Sequence, residues 1–371
     1  MNYIIGGVDL HDNSLVVKVA RNIEKPVKLS FPNTGAGRLA FIRSLKARAR
    51  AAGGAGVVAA YEASCQGFGL YDDVCDAGEK CFVLAPTEME RSTSEANSKN
   101  DERDAGRILQ ILRAHLLAGN DLPSIWVPDK KTRDDREVVR ARLDIASKAT
   151  AVKAQVQMLL KRSGVRMPKG IKNRWTRMYR AWLKGLVGSS ALKFCAACAL
   201  AALLRQLEFL ESEIKTFDSL VEAMSEEERY AEPVREMTKQ TGVGILVAMV
   251  YLTELGDLSR FKGRKQIGSY VGLAPRCRES GEAGDRKGHI THQGPERVRK
   301  MLCQAVWTRV RFDSAEKARY DRQVKRNPKH KKIAIVAAMR RLAVLLWHKG
   351  LEAQTRAGVF ARAAKAPAPA R

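Results

Sequence analysis

The sequence predicts an α/β domain at the N-terminus, a long antiparallel coiled coil in the middle and a mainly α-helical domain at the C-terminus. Three observations support this fold class. Short apolar runs alternate with helical segments in the first third of the 371 residues. Apolar residues then repeat every three or four positions along two long segments. The chain after residue 232 has a mainly helical pattern. We place the domains at 1–122, 123–232 and 233–352, and we expect a disordered tail at 353–371.

The sequence pattern of the first third of the chain predicts strands and helices in the order β-β-β-α-β-α-β-α. Tyr3–Leu10 and residues 15–19 are strand-like runs with a tight connection between them, which is typical of a hairpin. The first helix ends at Gly53-Gly54, a common helix terminator. The further predicted elements are strands at 27–31, 57–61 and 81–84, and helices at 36–52, 70–77 and 101–117.

The middle of the chain predicts two long helices joined by a basic connector. Two prolines close the first domain, and residues 134–163 then have apolar residues at spacings of four and three. The second helix has an unbroken heptad seam. Such a pair indicates an antiparallel coiled coil or a dimerisation arm, and ordinary core helices of a bundle are the alternative. The seam residues are Leu200, Leu203, Leu207, Leu210, Ile214, Phe217 and Val221.

The charge of the chain is strongly positive and unevenly distributed. Lys and Arg number 66 against 40 Asp and Glu, a formal net charge of +26. Residues 130–184 hold 17 basic and 4 acidic residues, and residues 258–350 hold 24 and 7. This excess favours a polyanionic partner, most simply nucleic acid. The predicted nucleic-acid surface therefore lies in the middle and C-terminal parts, and the N-terminal third is near neutral.

Several protein classes are disfavoured by composition. No run of about 18 apolar residues occurs, so we expect no transmembrane helix and no membrane partner. The N-terminus has no basic segment and reaches a carboxylate at Asp9, which is unlike a signal peptide. The 7 cysteines are scattered and odd in number, which argues against a disulfide framework and favours a reducing compartment. We expect a cytoplasmic, nucleoid-associated protein.

Four carboxylates lie where a metal site would need them. Asp9 follows the apolar start of the first strand, and Glu62 ends the central strand. Asp101 and Asp104 are three residues apart at the start of a helix, and therefore on one face. Mg²⁺ prefers such oxygen ligands. Two ions held by carboxylates stabilise the attacking and leaving oxygens of phosphoryl transfer.

Each carboxylate also has a simpler interpretation. The helix dipole favours Asp101 and Asp104 in a first turn, and for these two alone that explanation is the stronger one. Glu62 could be a solvated strand end. Asp9 is harder to explain, because a carboxylate inside an apolar strand is costly unless it is paired or metal-bound. Together on this order of elements, the four residues favour a metal site.

The motifs around these carboxylates resemble a known family. Residues 7–11 (GVDLH), 61–64 (YEAS) and 99–105 (KNDERDA) resemble the DEDD tetrad of the RuvC-like transposases of bacterial insertion sequences. The resemblance implies an RNase H-like fold for this region. It also implies that Asp9, Glu62, Asp101 and Asp104 are the ligands of Mg²⁺.

A glycine pair precedes the C-terminal motifs. Residues 240–246 (QTGVGIL) place Gly242 and Gly244 between apolar helices. Such a turn can begin a helix whose free N–H groups hold a nucleic-acid phosphate. A plain helix–helix turn is an equally good interpretation.

The string from Glu254 through Gly294 closely resembles the C-terminal transposase domain of the same family. In that family a serine of a Ser-Ser-Gly segment attacks the DNA phosphodiester. Here Glu279 replaces the first serine, so the resemblance assigns the nucleophile role to Ser280. A turn residue before Gly281 is the alternative. The flanking cations that could neutralise phosphate charge in the transition state are Arg276, Arg278, Arg286 and Lys287.

An aromatic group lies within the basic connector. Trp175, Tyr179 and Trp182 occur among Arg and Lys residues, including Arg177. Aromatic side chains in a basic segment can stack on exposed bases. Packing in a helical core is an equal alternative. We name Trp175 and Arg177 as candidate nucleic-acid contacts.

The two resemblances occur in the family's order and together imply a DNA transposase or recombinase of an insertion sequence. They imply a composite site in a homo-oligomer, a dimer or tetramer, that acts on donor and target DNA. They also imply a structured noncoding guide RNA, as in the RNA-guided bridge recombinases, which would explain why no sequence-reading motif is evident. Two rivals remain: a RuvC-like junction resolvase that uses only the carboxylates, and a noncatalytic nucleic-acid-binding scaffold.

Overall fold

The structure, a computed structural model, describes residues 2–89, 101–278, 286–326 and 328–359. The chain forms two compact units, Met1–Val127 and Pro128–Arg371. Each unit has its own secondary structure and its own apolar cores.

The first unit has the predicted order of strands and helices. The α/β expectation is confirmed, and the short connection after the first strand is a hairpin in which the Ser14 carbonyl accepts from the His11 N–H at 2.9 Å. Its elements are β1 (Tyr3–Leu10), β2 (Ser14–Arg21), β3 (Val27–Pro32), α1 (Gly35–Ala51), β4 (Gly56–Glu62), α2 (Gly69–Asp76), β5 (Lys80–Leu84) and α3 (Asp101–Ala118).

The strands form one mixed sheet in the order β3-β2-β1-β4-β5. The β1–β2 and β2–β3 pairs are antiparallel, whereas β1–β4 and β4–β5 are parallel. Helices α1 and α2 pack on one face, and α3 packs on the other. Because both faces of β4 are covered, this strand reads as an apolar run without alternation. This mixed α/β sheet is consistent with the RNase H-like expectation.

The second unit is mainly helical. Among its described residues, no helix combines the length and apolar character needed to cross a membrane. Its elements are α4 (Lys130–Arg162), α5 (Arg177–Val187), α6 (Phe194–Ser225), α7 (Glu228–Thr238), α8 (Ile245–Leu255), α9 (Arg264–Tyr270), β6 (Pro275–Arg278), β7 (Arg286–Ile290), α10 (Glu296–Phe312), α11 (Ser314–Arg326) and α12 (Lys331–Ala357).

Helices α4 and α6 form an antiparallel hairpin. Ion pairs join Arg142 to Asp218 at 2.7 Å and Lys153 to Glu211 at 3.1 Å. The later residue of α4 pairs with the earlier residue of α6, so the two helices run in opposite directions. The heptad seam correctly predicts the face of α6 that faces inward. Supercoiling of the pair and its use as a dimer arm stay predictions. The seam residues that are fully buried are Leu200, Leu207, Leu210 and Val221.

The base of this hairpin belongs to the core of the C-terminal helices. Glu254 on α8 is buried, and its carboxylate accepts two hydrogen bonds from Arg140 on α4, at 2.8 and 2.9 Å. Arg136 donates to the carbonyl oxygens of Thr253 and Glu254. These hydrogen bonds join α4 to α8 and give the buried Glu254 carboxylate its partners. The expected boundary at 232/233 therefore lies inside one compact unit.

The end of the chain differs from the expectation of a tail from residue 353. Helix α12 continues to Ala357, because Ala353 and Gln354 are buried. The Gln354 side chain accepts from the Leu258 N–H at 3.1 Å and donates to the Gly256 carbonyl at 3.2 Å. Residues 353–357, which the expectation placed in the tail, are thus part of α12, and residues 360–371 lie outside the described part of the chain.

Candidate functional site

Two of the predicted carboxylates lie side by side at one edge of the sheet. Asp9 is near the end of β1, and Glu62 ends the parallel neighbour β4, whose Tyr61 pairs with Val8. Side chains alternate along a strand. Asp9 is two residues after Gly7, which faces α3. Both carboxylates therefore lie on the α3 face of the sheet.

Gly7 lets α3 approach the sheet closely. A Cβ atom at this position would lie 2.3 Å from the Ala105 carbonyl oxygen and 2.5 Å from the Leu109 nitrogen. The first turn of α3 carries Asp101 and Asp104. Because the helix rests directly on β1 at Gly7, its acidic first turn lies beside the end of that strand.

His11 joins the carboxylates in one cluster. Its Nε2 lies 3.0 Å from an Asp9 carboxylate oxygen and 3.4 Å from one of Asp101. Asp9, His11 and Asp101 each offer one ligand atom, and these atoms all lie within 4.8 Å of one another. Oxygen and imidazole donors that converge in this way fit a divalent cation. The structure thus brings together two of the four predicted ligands, Asp9 and Asp101, and their binding of a metal stays a prediction.

The role of His11 was not predicted from the sequence. The residue stands just after the strand, two positions from Asp9, in the quoted GVDLH motif. That spacing places it on the face of Asp9, which was the available signal. Glu62 and Asp104 are not members of the three-residue cluster, and their role as ligands stays a prediction.

Burial and like charges raise the pKa of Asp9. Burial is the largest cause; the imidazole of His11 lowers the pKa, and the Asp101 and Asp104 carboxylates raise it. The carboxylates repel one another at this edge, so a bound cation would relieve the repulsion. Both the repulsion between the carboxylates and the ligand atoms of Asp9, His11 and Asp101 therefore favour a cation at this site.

Glu102 anchors the acidic turn to the sheet. Its carboxylate accepts from Lys18 at 2.5 Å and from Lys28 at 2.9 Å. These two hydrogen bonds lower the pKa of Glu102 to about 2. Glu102 lies between Asp101 and Asp104 in sequence, so its ion pairs help hold the first turn of α3 in place. This contact was not predicted, because it depends on how β2 and β3 are placed.

A cavity opens beside the cluster. It has a volume of about 400 Å³ and is lined by residues 10–14 and 64–66, which include His11 and Ser64. The first lining segment is the β1–β2 turn with its flanking residues, and the second comes just after β4, so both adjoin the strands that carry Asp9 and Glu62. Space for a substrate therefore adjoins the candidate metal ligands.

The predicted nucleophile lies outside the described residues. Ser280 is in the segment 279–285, between β6 and β7. This antiparallel strand pair was not predicted from the sequence, because its strands are short and polar. Arg278 on β6 and Arg286 and Lys287 on β7 flank the segment in sequence. Arg276 is exposed and donates to the Thr291 carbonyl at 3.4 Å.

The two glycines of the QTGVGIL segment differ in surroundings. Gly242 has a φ of +83°, and a Cβ atom there would lie 2.4 Å from the Ala305 carbonyl of α10. Gly244 is exposed at the N-terminus of α8, and a Cβ atom there would meet nothing within 4 Å. Close packing thus accounts for Gly242. Phosphate binding by either residue stays a prediction.

The aromatic group of the connector is packed. The rings of Trp175 and Trp182 each lie 5.4 Å from that of Tyr179, which is buried. The Lys153 ammonium lies 5.6 Å from the Trp175 ring centre. Arg177, at the start of α5, is exposed. The geometry favours a packing role for Trp175, and its predicted stacking on bases remains untested.

Comparison with protein families gives two matches. Residues 6–164 match a family of transposases defined by the DEDD domain of IS110 elements, and residues 235–321 match the IS116/IS110/IS902 transposase family. The first segment contains Asp9, Glu62, Asp101 and Asp104. The second contains Gly242, Gly244 and Ser280.

Individual relatives come from several bacteria. The y4qE protein of Sinorhizobium fredii, a transposase by provisional name, is 32% identical over 67% of this chain and 57% of its own length. The transposase of element IS1533 of Leptospira borgpetersenii is 22% identical over 67% of this chain and 69% of its own. A 43.6 kDa protein of insertion element IS110 from Streptomyces coelicolor is 24% identical over 73% and 76%.

The chain thus spans little more than half the length of y4qE. The two family matches nevertheless occur in one order and together cover well over half of the chain. By these matches the chain belongs to the IS110/IS116 family of transposases, with that family's DEDD domain at its N-terminus.

Proposed function

We propose that this chain is a metal-dependent enzyme that cuts and exchanges the DNA strands of an insertion sequence. The observation that carries the proposal is the convergence of Asp9, His11 and Asp101 within 4.8 Å, inside the segment that matches the DEDD domain. Relatives named as transposases or as proteins of insertion elements support it. The net charge of +26 favours a polyanionic substrate.

The proposed cofactor is Mg²⁺, held by Asp9, Glu62, Asp101 and Asp104. When bound, Mg²⁺ neutralises phosphate charge and assists both the attacking and the leaving oxygen. The protein itself holds the carboxylates in position before the substrate binds. Gly7 admits α3 to the sheet, and the ion pairs of Glu102 hold its acidic turn, so the carboxylates need little rearrangement when the substrate arrives.

The test is a strand-cleavage reaction of the full chain on DNA that carries an element end, with Mg²⁺ and with a chelator. We expect cut and rejoined strands that depend on the metal. Hydrolysed ends without joined products would favour a junction resolvase. Metal-independent binding with no products at all would favour a scaffold, and either result overturns the proposal of strand exchange.

For strand exchange we further propose Ser280 as the nucleophile, on the strength of the sequence resemblance. The Ser280 hydroxyl oxygen would bond to the scissile phosphorus and its proton would pass to a base. The P–O bond to the displaced DNA oxygen would break, and that oxygen would take up a proton from the protonated base and leave as a hydroxyl. This step conserves a phosphodiester linkage for rejoining. Ser280→Ala should bind DNA but give no covalent protein–DNA adduct on a denaturing gel. Unchanged strand exchange by that variant would contradict the role.

We also propose that a structured RNA guides the enzyme and that it acts as a homo-oligomer. The family resemblance implies both points, and the two basic stretches fit an RNA together with two DNA duplexes as well as they fit DNA alone. Sequencing of RNA that copurifies with the chain, and comparison of its loops with the element junctions, tests the first point. Mass measurement of the protein with and without DNA tests the second. A monomer that exchanges strands without RNA would contradict both.

A further inference from the structure

The far end of the α4–α6 hairpin has an unusual charge. We call residues 161–193, the turn of the hairpin with α5, the hairpin tip. It contains ten Lys and Arg residues and no Asp or Glu. The acid-free stretch is longer still, because no acidic residue occurs between Asp144 and Glu208.

Few of these cations are neutralised by the protein. Arg180 pairs with Glu211 at 2.7 Å, and Lys184 pairs with Glu208 at 2.7 Å, both on α6. The other eight make no ion pair with any residue that the structure describes. Exposed cations of the hairpin tip include Arg162, Arg166, Lys169, Lys172, Arg174 and Arg177.

The hairpin tip is an ordered platform. A core around Tyr179, Leu183 and Leu200 joins α5 to both long helices, so the exposed cations stand on packed elements. The outward face of α5 carries Arg177, Ala181 and Lys184. Residues three and four apart are neighbours on a helix, so the small Ala181 lies between two cations. A phosphate backbone could approach this helix closely.

We propose that the hairpin tip binds the phosphate backbone of a nucleic-acid duplex. The inference rests on the proposed function and assigns a holding surface to it, away from the carboxylate cluster in sequence. A second copy of the tip is a poor partner, because two acid-free surfaces repel. A membrane is also disfavoured, because Tyr179, Leu183 and Leu186 of α5 are buried in the tip core and the exposed Met178 alone does not make an apolar face.

The sharpest test changes one charge. Ala181→Glu places a carboxylate between Arg177 and Lys184, and Ala181→Gln has the same size without the charge. Both residues favour helices, so folding should be kept. With a chelator present, we expect the Glu variant to bind duplex DNA or an RNA hairpin several-fold more weakly than the Gln variant. Equal affinity of the two for both probes would overturn the proposal.

A second test counts contacts. Affinity for nucleic acid falls as salt rises, so a plot of log affinity against log salt has a negative slope. The triple change Lys169→Gln, Arg174→Gln and Arg177→Gln should make this slope less steep by about 0.9 for each lost phosphate contact. The probe whose slope falls, duplex DNA or hairpin RNA, identifies the bound duplex. If neither falls, or if the variant changes oligomeric mass instead, the proposal is wrong.

A matched control removes the same charge elsewhere. Arg43, Arg50 and Lys80 are exposed in the first unit. Neutralising these three should leave the slope nearly unchanged, and an equal fall would mean that only net charge matters. Both sets are also tested in an Asp9→Asn background. Because binding is scored without metal or cleavage, failure of the hairpin tip and failure of the metal site give different results.

Discussion

The carboxylate cluster of the first unit and the hairpin tip of the second show two opposite ways to organise charge. In the cluster, Asp9 and Asp101 come together from positions about 90 residues apart, and burial, together with the negative charge of Asp101, raises the pKa of Asp9. In the hairpin tip, ten cations come from one continuous segment of 33 residues and are spread over a packed platform. A site for a small ion needs convergence, whereas a surface for an extended polyanion needs only exposure.

This difference predicts different sensitivities. Loss of one convergent group should remove function, because no neighbour can replace its position. Loss of one cation in the hairpin tip should weaken binding only in part, because phosphate contacts add up. The variants below test this contrast in descending order of effect.

The largest effect is expected for Asp9→Asn. It keeps the size of the side chain but removes a charged donor of the cluster, so metal-dependent strand cleavage should fall by about 10³-fold or more. Duplex binding should be unchanged. Quantified cleavage products and binding curves measure the two properties.

The matched control is Glu88→Gln, since Glu88 is an exposed carboxylate just after β5, the neighbour of β4, and lies outside both the cluster and the cavity lining. It should cleave at the normal rate. Similar losses in the two variants would mean that general acidity near this edge, and not the cluster, supports the reaction.

The next effect is expected for Gly7→Ala. The added methyl group meets backbone atoms of α3, which cannot move as a side chain can, so α3 must shift from the sheet. We expect a loss of roughly 3 kcal/mol of stability, the upper part of the range for overpacked sites, and a large loss of cleavage. Hydrogen exchange of β1 and α3 measures the local destabilisation.

Gly6→Ala is the neighbouring control. The atoms nearest its Cβ atom would belong to the side chains of Leu45 and Phe41, at 3.6–3.8 Å, which is ordinary contact. It should be tolerated. If both alanine variants behave alike, close approach of α3 is not what organises the acidic turn.

A smaller effect, on stability, should distinguish the two glycines before α8. Gly242→Ala places a Cβ against the Ala305 carbonyl at a φ of +83°, so we expect a loss of about 2 kcal/mol from the second unit. Gly244→Ala has open space and should fold normally. Urea unfolding, together with hydrogen exchange of α8 and α10, measures the loss of stability in Gly242→Ala.

The same pair tests the predicted phosphate site. If the N–H groups at the start of α8 hold phosphate, Gly244→Ala retains them and should retain binding, whereas Gly244→Glu should weaken duplex binding by repulsion. Normal binding by Gly244→Glu would leave the QTGVGIL segment with a packing role alone.

The two regions also differ in how far the sequence could predict them. Apolar periodicity predicted the succession of strands and helices in the first unit and the buried seam of α6, because both depend on local sequence patterns. The acid-free tip is visible directly in the sequence. His11 was missed because its value as a donor arises only when α3 rests on Gly7 and brings Asp101 within reach. The packed state of Trp175 likewise depends on Tyr179 and Lys153, which belong to different helices.

The smallest effect concerns the acid that fastens the hairpin tip. Glu211 accepts two hydrogen bonds from Arg180 and pairs with Lys153, and these hydrogen bonds hold the pKa of Glu211 below its ordinary value of 4.5. A lowered folded-state pKa stabilises the tip above pH 4.5 and loses this contribution as the pH falls below it. Glu211→Gln should therefore cost about 1 kcal/mol near neutral pH, the usual scale of such a partly exposed pair.

The acid dependence distinguishes this role from simple packing. Hydrogen exchange in α5, compared between the two proteins at the same pH, should be faster in Glu211→Gln near neutral pH and should converge with the parent in acid. A difference that persists unchanged at low pH would show that Glu211 acts by shape. Convergence would mean that the acid-free tip owes part of its rigidity to a carboxylate placed just beyond its border, which leaves its exposed cations free for an external polyanion.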